Sequence, residues 1–448
     1  MTRNDEILDE EEKYFAGADR VYYFDMVIDS GTGAVVRDVA GNEYIDLLAS
    51  ASATNTGHAH PAIVKAITEQ AQKLVHYTPA YFSTSTEAKL VSRLAHLVPE
   101  EGDWMVAFGN SGSDANDAVI KFARGYTGRP NVVSYTGAYH GSTYGSITAS
   151  GVSLNMARKI GPLLPGFFKV PFPAPWKKQS EESEEKFSDR MFEAFLEPFN
   201  NYLPADETAV ILIEPIQGDG GIAAAPKLYW QKVAQFAKEH GILLAVDEVN
   251  QGMGRTGTFF SYQRFGLHPD LISMGKSLAS GMPLSAVLGR REIMESLESP
   301  ESPANVYTTA ANPVSAAAAL ATLDVIENEH LMERSKELGE IAREFFEGEQ
   351  KRYDFIGGVR MYGLNGGIDI VDPKTGLRDT DATNYILYAL FKRGVLMISL
   401  QGSTLRFQPP LVITEEQLRQ AFDVLHGVFN DYENGRLTAP TGRHHIGW

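Results

Sequence analysis

The sequence contains no cysteine among its 448 residues. This absence excludes a disulfide-bonded scaffold, a zinc site built from thiolates and a cysteine nucleophile. It is consistent with the reducing cytosol, where disulfides are rare. No metal site is predicted from the remaining residue types.

Long hydrophobic runs are also missing. The longest apolar stretches, such as residues 209–213 and 242–246, are far shorter than the ~20 residues of a membrane span. The first fifteen residues carry an acidic cluster, Asp9 to Glu12, where a secretory signal would need an apolar segment. We therefore expect a soluble, cytoplasmic protein that does not bind membranes.

Basic residues are also fewer than acidic ones. Lys and Arg number 40 against 57 Asp and Glu, which gives a formal net charge of −17. Such an acidic chain is not expected to bind nucleic acid or anionic surfaces in general. With 43% hydrophobic residues it has enough apolar material for a real core, and its length predicts two or three domains.

Short apolar runs alternate with helix-like segments between about residues 60 and 290. Several of these runs are almost continuously apolar, as expected for strands of a sheet covered on both faces. The alternation predicts an α/β fold with a mainly parallel sheet. The predicted strands are Trp104–Phe108, Asn131–Tyr135, Ala209–Ile213, Ile242–Val246, Leu271–Met274 and Leu284–Leu288, with helical patterns at Ala115–Ala123 and Leu228–His240.

The pattern changes after about residue 315. A helical stripe runs from Leu331 to Phe345, and a strand-like run covers Val395–Ile398. Thr414 and Gln417 have the spacing of a capping box before a further helical stripe. We therefore predict a large domain over residues 60–315 and a smaller α+β domain over residues 316–448, which the N-terminal segment 1–59 joins.

Ligands of open parallel sheets bind beyond the carboxyl ends of the strands. The first predicted strand is followed by the residues GNSGSDAND, from Gly109 to Asp117. Glycines and small hydroxyl residues at the start of a helix favour a phosphate site, whereas a plain tight turn with Asp114 near the helix start is the alternative. After the second strand come Tyr139 and His140, which either stack on a flat ligand or pack as ordinary loop residues.

Charged residues follow the next three strands. Glu214 and Asp219 lie in the loop EPIQGDGG, and Asp247 follows a buried strand, where an aspartate needs a cationic partner. Lys276 stands between Gly275 and Ser277, just past an apolar run. A lysine in such a place is a candidate buried amine of lowered pKa, the kind that forms Schiff bases.

These strand-end residues together match one cofactor, pyridoxal 5′-phosphate. The lysine would bind its aldehyde, the aspartate would pair with its protonated pyridine nitrogen, and the glycine-rich turn would hold its phosphate. Each signal is weak alone, and their combination along one sheet is what favours this cofactor.

The motifs resemble the class III aminotransferase family of fold-type I pyridoxal-phosphate enzymes. The resemblance extends from GHAHP at residues 57–61 to LRFQPPL at residues 405–411, and DEV…GMGRTG followed by PDLISMGKS is its most specific part. Membership implies a large and a small domain. It also implies a homodimer, or a dimer of dimers, with active sites at the subunit interface.

The resemblance also implies roles for individual residues. Lys276 matches the Schiff-base lysine, and Asp247 matches the partner of the pyridine nitrogen. Val249 and Tyr139 match the residues on the two faces of the cofactor ring. The remaining matches are Gly112 and Ser113 in the phosphate loop, Asn250 at the ring hydroxyl, Arg406 at the substrate carboxylate, and Thr308 at the phosphate of the neighbouring subunit, with Thr309 as its adjacent alternative.

Three positions depart from the usual transaminase pattern. Asp219 and Asp114 stand where glutamate is common, and Asn250 stands where glutamine is common. These departures resemble a branch of the family that racemises branched and other nonpolar amino acids. An ω-aminotransferase of the 4-aminobutyrate or ornithine type is the alternative, because it shares almost every cofactor residue.

Inversion at Cα with fast turnover usually needs an acid or base on each face of the substrate. Lys276 is expected to serve one face, and Asp219 is the candidate for the other. The alternative is that Asp219 is a shortened ion-pair partner of Arg406, and the sequence leaves both open. Arg406 itself suits a bidentate grip on the substrate α-carboxylate.

Overall fold

The computed structural model describes residues 2–100, 102–299 and 303–442. The chain divides into two compact units. The small unit combines the described residues up to His60, the short segment Arg255–Gly257 and the described residues from His330 onward. The large unit comprises Pro61–Gly254 and Thr258–Glu329.

The helices are distributed over both units. In chain order they are α1 Arg3–Tyr14, α2 Ala49–Ser52, α3 Pro61–Lys73, α4 Ser85–Ala95, α5 Gly112–Thr127, α6 Tyr144–Ala149, α7 Leu154–Ala157, α8 Glu184–Asn201, α9 Lys227–Glu239, α10 Arg291–Met294, α11 Pro313–Asn328, α12 Leu331–Arg352, α13 Thr380–Lys392 and α14 Glu415–Glu433. Within the described ranges, none of them has the length and apolar character needed to cross a membrane.

The strands are shorter than most of the helices. They are β1 Ile28–Thr32, β2 Val35–Asp38, β3 Glu43–Asp46, β4 Trp104–Gly109, β5 Asn131–Tyr135, β6 Phe167–Val170, β7 Thr208–Ile213, β8 Ile216–Gln217, β9 Ala223–Ala224, β10 Leu243–Asp247, β11 Leu271–Met274, β12 Ser285–Arg290, β13 Ile356–Met361, β14 Gly366–Ile370, β15 Val395–Leu396, β16 Ile398–Leu400 and β17 Thr404–Phe407.

A seven-stranded sheet in the order β4-β12-β11-β10-β7-β5-β6 forms the centre of the large unit. Strand β12 runs antiparallel to both its neighbours, and the other pairings are parallel. Residues of β5, β7, β10 and β11 are buried throughout, which explains their mainly apolar sequence. The predicted α/β class with a mainly parallel sheet is confirmed.

Helix α5 packs on this sheet and anchors the core of the large unit. Its buried side chains include Ala115, Val119 and Phe122, which form one cluster with residues of β5, β7 and β10. The helix begins with a capping box, in which the Ser111 hydroxyl accepts from the Asp114 N–H and the Asp114 carboxylate accepts from the Ser111 N–H. Reciprocal capping fixes where the helix starts, and so fixes the turn that follows β4.

Two four-stranded sheets belong to the small unit. One has the order β1-β2-β3-β15 and the other the order β13-β14-β17-β16. The predicted strand at residues 395–398 is divided between them: β15 pairs with β3, and β16 pairs with β17. Thr414 caps α14 through Gln417 as the spacing predicts.

A left-handed turn interrupts the small unit at α2. Ala49, Ser50, Ala51 and Ser52 all have positive φ, between 49° and 69°. L-residues adopt this conformation at a cost of about 1–2 kcal/mol each, so the surroundings must hold it. The buried Arg255 donates to the Ser52 hydroxyl at 3.0 Å and to the carbonyl oxygen of Leu364 at 3.0 Å. Burial, with the charge of Arg406 nearby, lowers the pKa of Arg255 to about 9.

Candidate active site

The carboxyl ends of the parallel strands in the large unit surround one cavity. It is lined by Ser111, Gly112, Ser113, Asn116, Tyr139, His140, Gly141, Glu214, Gly218, Asp219, Asp247, Val249, Asn250 and Lys276. Every predicted site residue of the large unit except Thr308 therefore lines the same space.

The first turn of α5 forms one end of this cavity. Gly112 and Ser113 are the first two residues of the helix, whose N–H groups and dipole favour an anion. A Cβ at Gly112 would lie only 2.7 Å from Val249 Cγ1, and one at Gly141 only 2.3 Å from Ser113 Oγ. A side chain at either glycine would therefore collide with its neighbour, Val249 or Ser113. A phosphate site and a tight turn capped by Asp114 are compatible here, because Asp114 caps the helix while Gly112 and Ser113 line the cavity.

Asp247 lies at the end of β10 with its carboxylate fixed by three donors. Its Oδ2 accepts from the Asn116 amide at 2.8 Å and from the Nδ1–H of His140 at 2.7 Å. Its Oδ1 accepts from the Val249 N–H at 3.0 Å. Asn116 is oriented in turn by the Ser273 hydroxyl at 2.7 Å. Asn116, His140 and Val249 together therefore hold the carboxyl group of Asp247 in place.

Lys276 begins a 3₁₀ turn directly after β11 and Gly275. Its φ of 44° is in the left-handed region, which costs a lysine about 1–2 kcal/mol. A Cβ at Gly275 would be 3.3 Å from both the Cα and the N of Gly112, so the lysine turn and the helix start are packed backbone to backbone. Strain of this kind is concentrated at functional positions.

Tyr139 provides an aromatic wall of the cavity. Its hydroxyl is 3.2 Å from Ser142 Oγ, and its backbone N–H donates to Glu214 Oε2 at 3.0 Å. Burial, together with the charges of Asp219 and Asp247, raises the pKa of the Tyr139 phenol. The ring is therefore neutral at physiological pH and can stack on a flat ligand.

The loop after β7 carries the remaining carboxylates. Asp219 follows Gly218 in a tight turn closed by hydrogen bonds from the N–H groups of Gly221 and Ile222 to the Gly218 carbonyl. Glu214 is buried, and burial plus the charges of Asp247 and Asp219 raises its pKa well above the usual range. Asn250 packs on this turn, because a Cβ at Gly218 would be 3.2 Å from Asn250 Cγ.

The two remaining predicted residues are Thr308 and Arg406. Thr308 is exposed in the loop before α11, and the adjacent Thr309 donates to Asn110 Oδ1 at 3.0 Å. Arg406 belongs to the small unit, where it is buried in β17 and its Nε donates to Gln408 Oε1 at 2.5 Å.

Sequence reasoning missed Asn116, Ser273 and Gln217 and the contact of His140 with Asp247. Asn116 is buried one turn into α5, on a helix face that is otherwise apolar. A polar residue on an otherwise apolar helix face could have indicated that Asn116 contacts another polar group. Its partners come from other strand ends and are apparent only in three dimensions. In the described ranges, no group of three or more His, Asp or Glu side chains is placed to hold a metal ion.

Comparison with known proteins gives consistent matches over the whole chain. A family model described as aminotransferase class-III matches residues 16–429. Isoleucine 2-epimerase of Lentilactobacillus buchneri is 56% identical, with 100% of this chain and 99% of that protein aligned. Leucine/methionine racemase of Thermococcus litoralis is 38% identical, with 100% of both chains aligned. The solved omega transaminase from Pseudomonas jessenii in complex with PMP superposes with a TM-score of 0.89 at 25% identity, over 96% of this chain and 99% of that one.

Proposed function

The chain belongs to the aminotransferase class-III family, and on that basis we propose that it is a pyridoxal-phosphate-dependent epimerase of nonpolar amino acids. It inverts Cα of isoleucine, converting L-isoleucine to D-allo-isoleucine, and accepts other nonpolar side chains. The observation that carries this function is the 56% identity to an isoleucine 2-epimerase along the entire chain. Asp219 lines the same cavity as Lys276, which supports the two-base proposal.

The cavity residues fit pyridoxal phosphate. The first turn of α5 suits its phosphate, Tyr139 and Val249 suit the two faces of its ring, and Asp247 suits its ring nitrogen. Asn250 is proposed to contact the ring hydroxyl. The close approach of Gly112 to Val249 leaves no room for a side chain at the helix start, which keeps the phosphate end open to backbone N–H groups. When bound, the cofactor withdraws electrons from the substrate Cα and so acidifies its C–H bond.

Asp247 is proposed to hold a proton on the cofactor's ring nitrogen. Its oxygens accept from Asn116, His140 and Val249, which hold the carboxyl group in one orientation. A carboxyl group held in this place would stabilise a protonated ring nitrogen and so strengthen the electron withdrawal that a bound cofactor supplies.

Lys276 and Asp219 are proposed to exchange the Cα proton on opposite faces. The Lys276 amine removes it from one enantiomer, and the Asp219 carboxyl group returns a proton from the other side. In the reverse direction the roles exchange. Solvent-deuterium exchange in an Asp219→Asn variant tests this assignment: wild-type exchange and interconversion of both enantiomers would leave Asp219 as an ion-pair partner of Arg406.

Arg406 is proposed to bind the substrate α-carboxylate. Its Nε is engaged by Gln408, whose amide donates to Asn365 Oδ1 at 2.6 Å, so the guanidinium plane is oriented within the small unit. A planar guanidinium of fixed orientation suits a bidentate carboxylate.

The assembly is proposed to be a homodimer or dimer of dimers in which Thr308 contacts the cofactor phosphate of the neighbouring subunit. The exposure of Thr308 within one chain is compatible with this role. Cytoplasmic location stays a prediction.

Incubation with L-isoleucine and pyridoxal phosphate, without any keto acid, tests the function. Chiral chromatography is expected to show D-allo-isoleucine, which is separable because Cβ keeps its configuration. Strict dependence on an added keto acid would instead indicate an ω-aminotransferase. The control variant Lys276→Ala should form no product under the same conditions.

A further inference from the structure

Two loops border the cavity on the side of Tyr139 and Asp219. One covers residues 136–141 and follows β5; the other covers residues 214–221 and follows β7. They come from neighbouring strands, and two buried side chains of the second loop, Glu214 and Gln217, bind both loops. We call this pair of side chains the loop clamp.

Glu214 contributes the central part of the loop clamp. Its Oε2 accepts from the Tyr139 N–H at 3.0 Å, and its Oε1 accepts from the Gly218 N–H at 3.0 Å. Gly218 immediately precedes Asp219. One carboxylate therefore fixes the backbone that carries the aromatic wall and the backbone that carries the candidate acid or base.

Gln217 contributes the second part. Its Nε2 donates to the Thr136 carbonyl at 3.0 Å. Its Oε1 is packed between two glycines, because a Cβ at Gly137 would be 2.6 Å from it and a Cβ at Gly220 would be 2.4 Å from it. The two loops thus approach too closely for side chains at these positions, and they are expected to move as one piece.

Burying a carboxyl group between two loops costs desolvation free energy. Glu214 is only 5% exposed and lies near the carboxylates of Asp219 and Asp247, so an apolar residue would avoid a large desolvation cost. The two oxygens of a carboxyl group can nevertheless accept from two backbone N–H groups that point at them from different loops. The burial of Glu214 between the two loops therefore indicates that it holds their backbones in place.

We propose that Glu214 is a positioning residue that sets the Asp219 carboxyl group against the face of the substrate opposite Lys276, by tying its loop to that of Tyr139. This inference rests on the proposed function, since it concerns the two-sided exchange of the Cα proton. Its loss is expected to affect the Asp219 side of the reaction more than the Lys276 side.

The variants Glu214→Gln and Glu214→Ala test the proposal in the holoenzyme. Glutamine keeps the volume but has one acceptor oxygen, and alanine removes both. Exchange of Cα hydrogen for solvent deuterium is measured separately from L-isoleucine and D-allo-isoleucine. The ratio of the two rates is expected to change by roughly 10- to 100-fold, because misplacement of a reacting group by about 1 Å has effects of that size. A general loss of folding would lower both rates alike.

Hydrogen exchange of the backbone provides a readout independent of activity. Peptides covering residues 136–142 and 214–221 are expected to exchange faster in both variants. Glu248→Gln is the matched control, because Glu248 also follows a strand and accepts backbone N–H groups, from Ser261 and Tyr262, but does not line the cavity. That control should accelerate exchange around residues 258–265 and leave the ratio of the two rates unchanged.

Two results would overturn the proposal: an unchanged rate ratio in the Glu214 variants, or unchanged amide protection of both loops. If Glu214→Ala does not fold, Glu214→Gln carries the same test. If the wild-type protein fails to interconvert the two isomers, the proposed function is wrong, while the amide measurement still decides whether Glu214 joins the loops.

Discussion

Glu248 gives the sharpest prediction, because its burial makes stability depend on pH. Burial raises its pKa to about 7 from the ordinary 4.5, although two backbone N–H groups and the Ser261 hydroxyl donate to it. Between these two pH values the native state binds a proton that the unfolded chain has lost. The stability that this group contributes is therefore full below pH 4.5, and it is lost as the pH rises through 7.

The magnitude follows from the difference between the two pKa values. At about 1.4 kcal/mol per unit, the full effect is about 3 kcal/mol, and about 2–3 kcal/mol of it falls between pH 5 and 8. The variant Glu248→Gln has no proton to lose. It is expected to be less stable than wild type at pH 5, where one N–H loses its acceptor, and to close that gap or reverse it by pH 8.

Denaturant unfolding at several pH values measures this difference, with pyridoxal phosphate saturating throughout. The quantity of interest is the free energy of unfolding of the variant minus that of wild type, because other titrating groups cancel. Parallel pH profiles for the two proteins would refute the reasoning, since they would mean that Glu248 titrates alike in the folded and unfolded chain.

Three further predictions concern single contacts. Gly112→Ala places a Cβ 2.7 Å from Val249 Cγ1 and should weaken cofactor binding at least ~10-fold, as measured by absorbance titration of the apoprotein. His140→Ala removes a 2.7 Å donor to Asp247, which is worth about 1.5–3 kcal/mol, so the epimerisation rate should fall roughly 10- to 100-fold in a chiral assay. Ala51 has a φ of 57°, which glycine adopts more readily than alanine, so Ala51→Gly should raise the free energy of unfolding by about 0.5–1 kcal/mol. The measurement is the midpoint of unfolding, which should rise. A lower midpoint would mean that the backbone at this position is a right-handed helix, in which glycine is destabilising.

The sheet of the large unit was largely predictable because its strands are buried on both faces. Six runs of apolar residues match six of its seven strands to within two residues at either end. Strand β6, Phe167–Val170, was missed because it is a four-residue edge strand that carries the exposed Lys169. The division of residues 395–398 between two sheets was also beyond prediction, because periodicity does not report which neighbour a strand pairs with.

The candidate site was predictable in part because strand ends converge at one edge of a parallel sheet. That rule alone brings Gly112, Tyr139, Asp219, Asp247 and Lys276 into one cavity. It says nothing about which neighbours hold these groups. The orientation of a carboxylate depends on donors from distant positions, and spacing along the sequence does not encode them.

Strand β15 pairs with β3, with Val395 opposite Ile45, which separates the partners by about 350 residues along the chain. At a synthesis rate of ~5–20 residues per second, β15 is made ~20–70 s after β3, and this edge of β3 has no partner strand during that time. An unpaired strand edge invites association with other chains during that interval, and charged side chains discourage it. Strand β3 reads EYID, and its exposed Glu43 places a charged side chain at one end of this edge until β15 has been made.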